Sequence, residues 1–178
     1  SIALKAASKA VRADAAVSWH CIGPLQSNKT RLVATHFDWV QSVDRLKIAQ
    51  RLSEQRPDHL PSLQVCLQVN IDAGANKSGV APQELPELAA AVARLPRLRL
   101  RGLMCIPEPT ADVGAQKALF DQARELFEQL KAQGHALDTL SMGMSDDMTA
   151  AIAAGSTMVR VGRAIFGSRP FKAAAAVA

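Results

Sequence analysis

Short apolar runs alternate with longer amphipathic segments along the whole chain. In Leu63–Ile71 apolar and polar residues almost alternate one by one, which is typical of a β-strand. The predicted strands are Val17–Ile22, Trp39–Val43, Leu63–Ile71, Leu98–Ile106, Thr139–Gly143 and Thr157–Gly162. Apolar residues recur at helical spacing between them, and the predicted helices are Ser27–His36, Asp44–Glu54, Pro82–Leu95, Ala115–Gln133 and Asp146–Ala154.

Local signals mark where several of these helices begin and end. Asp44 is predicted to be an N-cap, Pro82 occupies a first helical turn, and Gly134 is predicted to stop the helix before it. Strands and helices that follow one another in this way are typical of a parallel α/β sheet. Six strands are two short of a closed eight-stranded barrel. A Gly-x-Gly-x-x-Gly fingerprint and a P-loop are both missing, which disfavours a Rossmann or nucleoside-triphosphate fold.

The composition favours a single globular domain and disfavours membrane-spanning and nucleic-acid-binding proteins. The chain has 178 residues, of which 48% are hydrophobic and 21% charged, and it has no apolar run long enough to span a membrane. Its net charge of +5 would suit binding to nucleic acid. However, aromatic residues make up only 4% and the basic residues are dispersed, which argues against that partner. A basic surplus around a small anionic ligand is the alternative that we favour. Three cysteines, an odd number within apolar runs, predict free thiols in the cytoplasm.

The candidate chemistry lies in the last two strands, between Leu140 and Gly167. Each strand ends on glycine and leads towards a helix, as in Ser141-Met-Gly143 and Arg160-Val-Gly162. Backbone N–H groups at such turns, together with the helix dipole, form a binding site for an anion. In barrels of alternating strands and helices, phosphate sites commonly follow the last two strands. The histidines outside the strands lack metal-ligand spacing, so we predict no metal site.

Five sequence blocks occur in order and together identify a family. They are His20-Cys-Ile-Gly-Pro-Leu-Gln-Ser-Asn-Lys29, Asn76-Lys-Ser-Gly79, Leu98-Arg-Leu-Arg-Gly-Leu-Met104, Ser141-Met-Gly-Met-Ser-Asp-Asp-Met148, and Val159-Arg-Val-Gly162 with Ala164-Ile-Phe-Gly167. The chain closely resembles the pyridoxal phosphate homeostasis proteins, single-domain relatives of the alanine racemase barrel. The resemblance runs from about Trp19 to Arg169.

The resemblance implies a (β/α)8 TIM-type barrel of the alanine racemase kind that binds pyridoxal 5′-phosphate (PLP). It implies buffering or delivery of the cofactor without catalytic turnover, with PLP-dependent apoenzymes as possible recipients. It also favours a monomer, and the composition described above argues against a nucleic acid or a membrane as partner.

The family's cofactor lysine and its first two strands belong well ahead of Trp19. Only eighteen residues precede Trp19, and Ala7-Ser8-Lys9 matches the lysine motif superficially but leaves no room for the elements between. We therefore expect the first two strands and the lysine to be missing from this chain. The domain is expected to span residues 1–178, incomplete at its N-terminus, with a frayed tail at 172–178.

The resemblance and the strand pattern assign roles around the phosphate. The backbone at Gly162 and Arg163 is expected to hold the phosphate, with Ser141 and Gly143 opposite. Gly162 alternatively serves only a tight turn, and Ser145 is either a ligand or an N-cap. The Arg163 side chain adds positive charge to this region.

Arg160 shares a strand face with Gly162, because alternate residues of a strand point the same way. A buried arginine needs an acceptor, and the resemblance implies that this is the pyridine nitrogen. The alternative is an ion pair with Asp146 or Asp147. Because arginine stays protonated, it would donate to a neutral ring nitrogen and weaken the electron sink.

Four further residues are candidates for the rim or floor of the site. Lys77 lies by resemblance at the barrel mouth, or else is a solvated loop lysine. His20 and Asn28 flank the exit of the first predicted strand, at the pocket edge or as helix caps. Met104 packs near the ring or simply in the core.

Two other functions compete with cofactor homeostasis. A racemase on the same barrel uses a tyrosine as its second base, and this chain contains no tyrosine. A barrel that binds another phosphate ester would share the site at Gly162, but would have no use for a lysine that reacts with an aldehyde.

Overall fold

A computed structural model describes residues 17–73 and 78–167 of the chain. Six parallel strands form one sheet in which spatial order follows chain order. The strands are β1 (His20–Cys21), β2 (Trp39–Val43), β3 (Leu63–Gln68), β4 (Leu98–Met104), β5 (Thr139–Met144) and β6 (Met158–Arg160). All six predicted strands are therefore confirmed, several of them shorter than predicted.

Helices connect consecutive strands, as the alternating pattern predicts. They are α1 (Thr30–His36), α2 (Leu46–Gln55), α3 (Leu85–Ala93), α4 (Val113–Ala132), α5 (Met148–Ala153) and α6 (Arg163–Phe166). Short 3-10 turns, Ser27–Lys29 and Pro82–Glu84, precede α1 and α3. Pro82 occupies the first turn and Gly134, with φ of +98°, follows the end of α4, both as predicted. A helix after the last strand was expected, but the bounds of α6 were not predicted.

The sheet curls, so that strands distant in the sheet approach one another on its inner face. The side-chain amide nitrogen of Gln41 in β2 lies 3.2 Å from the sulfur of Met158 in β6. Four strand spacings separate these residues, and in a flat sheet that distance would be about 19 Å. The parallel order and the curl are those of a partial barrel.

The hydrophobic core lies between the outer face of the sheet and the helices. In β3, Leu63, Val65 and Leu67 are fully buried in this core. The residues that alternate with them, Gln64, Cys66 and Gln68, point to the inner face, because side chains of a strand alternate in direction. In β3 the inner face therefore carries mostly polar side chains, and this face of the sheet is where candidate site residues meet.

The predicted N-cap at Asp44 is wrong. The N-cap position of α2 is Arg45, and one carboxylate oxygen of Asp44 instead accepts a hydrogen bond of 3.0 Å from the backbone N–H of Gly79. This bond links the end of β2 to the loop after β3. The Asp44 carboxylate, which the local sequence predicts to cap the helix, therefore makes a tertiary contact instead.

The three cysteines are free, as predicted. Cys66 and Cys105 are buried, and burial raises the pKa of each thiol to about 12. Cys21 is half-buried. Within residues 17–73 and 78–167, no helix combines the length and apolar character that a membrane span requires. The same residues contain no cluster of three or more potential metal ligands.

Candidate functional site

The carboxyl ends of β5 and β6 bring the main candidate residues together. The two strands pair in parallel, with Ser141 opposite Met158 and Met144 opposite Arg160. Gly143 lies at the end of β5, and Gly162 follows β6 as the N-cap of α6. The same sheet edge therefore carries a hydroxyl, a guanidinium and two glycines.

Arg160 lies at the centre of this group. One terminal nitrogen donates a hydrogen bond of 2.8 Å to the Ser141 hydroxyl, and the other donates one of 2.9 Å to the carbonyl oxygen of Cys105. Its Nε is buried and has no hydrogen-bond partner. Burial lowers the pKa of Arg160 from its ordinary value, against the opposing effects of Cys105 and Asp147. The guanidinium is still a permanent donor, because its ordinary pKa is so high.

The alternative ion pair of Arg160 with Asp146 or Asp147 does not form among the described residues. Asp146 pairs with Arg163, and Asp147 accepts a hydrogen bond of 2.7 Å from the backbone N–H of Met144. The positive charge of Arg160 is therefore held by neutral acceptors, and its Nε–H is left without an acceptor.

A line of hydrogen bonds extends from Arg160 across the inner face. The Ser141 hydroxyl donates to the side-chain oxygen of Gln41 at 2.6 Å, and the Gln41 amide nitrogen lies 2.7 Å from Nδ1 of His20. The His20 ring stacks on Trp39, with ring centroids 5.0 Å apart. Burial lowers the pKa of His20, although Asp38 acts in the opposite direction. His20 thus belongs to the same network as Ser141 and Arg160 and is not a helix cap.

Gly143 is required by the packing of β5 against α5. Its φ is +100°, and a Cβ on this residue would lie 2.6 Å from the Cβ of Ala151. Residues with side chains rarely adopt that backbone conformation. Gly143 therefore lets α5 approach the strand end closely, whether or not its backbone also contacts a ligand.

The N-cap alternative for Ser145 is wrong, because the N-cap position of α5 is Asp147. Ser145 lies in the exposed turn between β5 and α5. Its hydroxyl stands at the same sheet edge as Gly143, so a role as a ligand remains a prediction.

Gly162 is exposed, and its φ of −118° is one that residues with side chains also adopt. A Cβ built on it would meet no atom within 4 Å, so neither crowding nor backbone strain demands glycine. The first N–H groups of a helix lack acceptors within the helix, and this holds for those of α6. The Arg163 guanidinium pairs with Asp146, so its charge is already partly balanced.

The remaining candidates occupy different positions. Met104 is fully buried but outside the cluster that packs against the helices, and it pairs across the strands with Ser141. This places it on the inner face beside the site. Asn28 is exposed in the 3-10 turn before α1, where Lys29 is the cap residue. Lys77 lies outside the described residues, as does Lys9.

Sequence reasoning missed Gln41. It is almost completely buried, yet it links β2 to Ser141 of β5 and to His20 of β1. A polar residue within the otherwise apolar start of β2 was the available signal. Its partners could not be read from the sequence because they lie 100 and 21 positions away.

Comparisons with known proteins identify the family of the chain. Residues 3–170 match the family described as "Alanine racemase, N-terminal domain". The "Pyridoxal phosphate homeostasis protein" of Pseudomonas aeruginosa is 63% identical over 163 residues, which cover 92% of this chain and 70% of that protein. The chain thus spans about two thirds of the length of this relative.

Solved structures give the same fold. PipY of Synechococcus elongatus, in its structure with PLP bound, is 36% identical with a TM-score of 0.84, over 93% of this chain and 78% of that one. Alanine racemase of Clostridium difficile is 15% identical with a TM-score of 0.75, covering 93% of this chain and 44% of that one, which supports the fold alone. The predicted α/β TIM-type fold of the alanine racemase kind is confirmed.

Proposed function

Since the chain belongs to the pyridoxal phosphate homeostasis proteins, built on the alanine racemase N-terminal domain, we propose that it binds PLP at the ends of β5 and β6. Binding serves to hold and supply the cofactor, and no substrate is turned over. The same proposal makes the protein a cytoplasmic monomer that passes PLP to PLP-dependent apoenzymes. Its buried free thiols suit a reducing compartment.

The observation that carries the proposal is the unpartnered, buried Nε of Arg160. A buried N–H without an acceptor is costly, and a neutral ring nitrogen is an acceptor of the right kind. The residues around it suit the rest of the cofactor, with the exposed N-cap glycine of α6, Gly162, for the phosphate and the apolar side chain of Met104 on the inner face. The residues present therefore fit PLP.

Bound PLP supplies an aldehyde that reacts with amines and a ring that withdraws electrons, most strongly when its nitrogen is protonated. Arg160 cannot give up its proton, so it donates a hydrogen bond and keeps an acceptor nitrogen unprotonated. Ser141 and the Cys105 carbonyl hold the guanidinium in place. The chain's own residues thus favour holding the cofactor over using it for carbanion chemistry.

The phosphate is held by backbone N–H groups at Gly162 and Arg163, and by Ser145 across the strand ends. Because backbone groups do this work, a side chain as large as that of Arg163 is tolerated next to the anion. Asn28 and, from the family resemblance, Lys77 are proposed as further cofactor contacts. The lysine that reacts with the aldehyde is expected ahead of Trp19.

We expect the full-length protein to bind PLP at least tenfold more tightly than pyridoxal, because charge-assisted hydrogen bonds to the phosphate are each worth about 1.5–3 kcal/mol. Fluorescence titration with PLP, pyridoxal and inorganic phosphate measures this difference. Borohydride added to the PLP complex is expected to fix one cofactor per chain, and peptide mapping locates the modified lysine.

The alternative functions give different results in the same experiment. PLP that binds no better than inorganic phosphate and leaves no adduct would favour another phosphate ester. An adduct accompanied by racemisation of free amino acids would favour an enzyme. Either result would contradict the proposed function.

A further inference from the structure

Gln41 occupies an unusual position for an uncharged polar side chain. It is 1% exposed, and its amide contacts residues of β1, β5 and β6 from its own place in β2. Buried amides need their donors and acceptors satisfied. The oxygen accepts from Ser141, while the nitrogen faces His20 and the sulfur of Met158. The residue thus connects opposite sides of the curled sheet.

The chemistry of the partners fixes the direction of these bonds. Arg160 can only donate, and the thioether of Met158 can only accept. The amide therefore presents its nitrogen to Met158 and His20 and its oxygen to Ser141. The single hydroxyl hydrogen of Ser141 then points to Gln41, which leaves the oxygen lone pairs of Ser141 free to accept from Arg160. At the far end, Nδ1 of His20 must be an acceptor, so its proton resides on Nε2.

We propose that Gln41 is a positioning residue that aims Arg160 at the cofactor ring through Ser141. By accepting the Ser141 hydrogen, Gln41 fixes the hydroxyl in the orientation that receives the guanidinium. A hydroxyl that donates is also a better acceptor, because successive hydrogen bonds polarise one another. This inference rests on the proposed PLP site, but the hydrogen-bond direction can be tested without cofactor.

The first test uses the nitrogen chemical shifts of the His20 ring in the full-length protein without PLP. We expect Nδ1 to be unprotonated and hydrogen-bonded, and Nε2 to carry the proton. Gln41→Glu removes the donor, so His20 should switch to protonated Nδ1 and titrate at higher pH beside the new carboxylate. Wild-type His20 with its proton on Nδ1 would overturn the inference.

The second test measures PLP affinity and the circular dichroism band of the bound cofactor. Gln41→Met keeps the volume but removes the acceptor, and we expect binding about fivefold to tenfold weaker, as for the loss of one buried hydrogen bond. Gln41→Glu retains an acceptor for Ser141, so its affinity and dichroism should stay near those of the wild type. If Gln41 merely filled space, Gln41→Met would bind PLP more tightly than Gln41→Glu.

Gln64→Met is the matched control. Gln64 lies on the neighbouring strand β3, and its side chain contacts Arg101 and the Ser62 carbonyl rather than Ser141. Its affinity for PLP should equal that of the wild type. If wild-type protein binds PLP and Gln41→Met binds it equally well with an unchanged band, Gln41 has no positioning role. If wild-type protein binds no PLP, the proposed function fails, whatever the His20 shifts show.

Discussion

Replacing Gly102 with alanine is expected to lower the free energy of unfolding by about 3 kcal/mol, at the upper end of the usual overpacking penalty. A Cβ on Gly102 would overlap the backbone carbonyl of Thr139 on the neighbouring strand. Main-chain atoms cannot move aside as a flexible side chain can. The two residues pair directly in the register of β4 and β5, so the strands must separate or shift there.

Urea unfolding of the full-length protein, followed by circular dichroism, measures this effect. Gly23→Ala is the control, because a Cβ on Gly23 meets nothing within 4 Å. The control should stay within about 0.5 kcal/mol of the wild type, as most exposed substitutions do. A Gly102→Ala protein as stable as the Gly23→Ala protein would contradict the register between β4 and β5. Ser141 follows two residues after Thr139, so that register also positions the site.

The second large effect is expected from Arg160→Leu, which should weaken PLP binding about 10-fold to 100-fold, as the loss of a hydrogen bond from a charged group predicts. Leucine removes the donor to the ring and also the bonds to Ser141 and Cys105. Arg160→Lys keeps the charge but loses the planar arrangement of donors. Its affinity for PLP should therefore lie between those of the wild type and the leucine variant.

Titration followed by cofactor absorption checks both the affinity and the environment of the ring. Arg99→Leu serves as the matched control, because Arg99 is an exposed arginine of β4. It should bind PLP as the wild type does. Unchanged affinity together with an unchanged absorption spectrum in Arg160→Leu would place Arg160 away from the ring.

The order of elements could be predicted because it depends on local periodicity. Alternation over Leu63–Gln68 and helical spacing over Val113–Ala132 are properties of neighbouring residues. Strand ends were less predictable, because they depend on pairing with a neighbouring strand. Among the described strands β1 pairs only with β2, and it is limited to His20–Cys21. Pairing, not the apolar pattern of Val17–Ile22, decides where that strand stops.

Contacts between distant residues explain the error at Asp44 and the omission at the site. The carboxylate of Asp44 accepts a hydrogen bond from the backbone N–H of Gly79. The error at Ser145 is local, since Asp147, two residues further on, occupies the N-cap position of α5. The role of Gln41 depends on the curl of the sheet, which brings β2 opposite β5 and β6. No local pattern encodes that approach. The expectation that Arg160 and Gly162 share a strand face rested on strand alternation, but β6 ends at Arg160 and Gly162 lies outside it, at the N-cap of α6.

A crystal structure of the full-length protein with PLP tests the central claim most directly. Our account predicts phosphate oxygens at the backbone N–H groups of Gly162 and Arg163, with the pyridine nitrogen accepting a hydrogen bond from the Arg160 guanidinium. It also predicts that Ser141 still joins Arg160 to Gln41. A cofactor whose phosphate lies away from the ends of β5 and β6, or whose ring nitrogen faces a carboxylate, would contradict it.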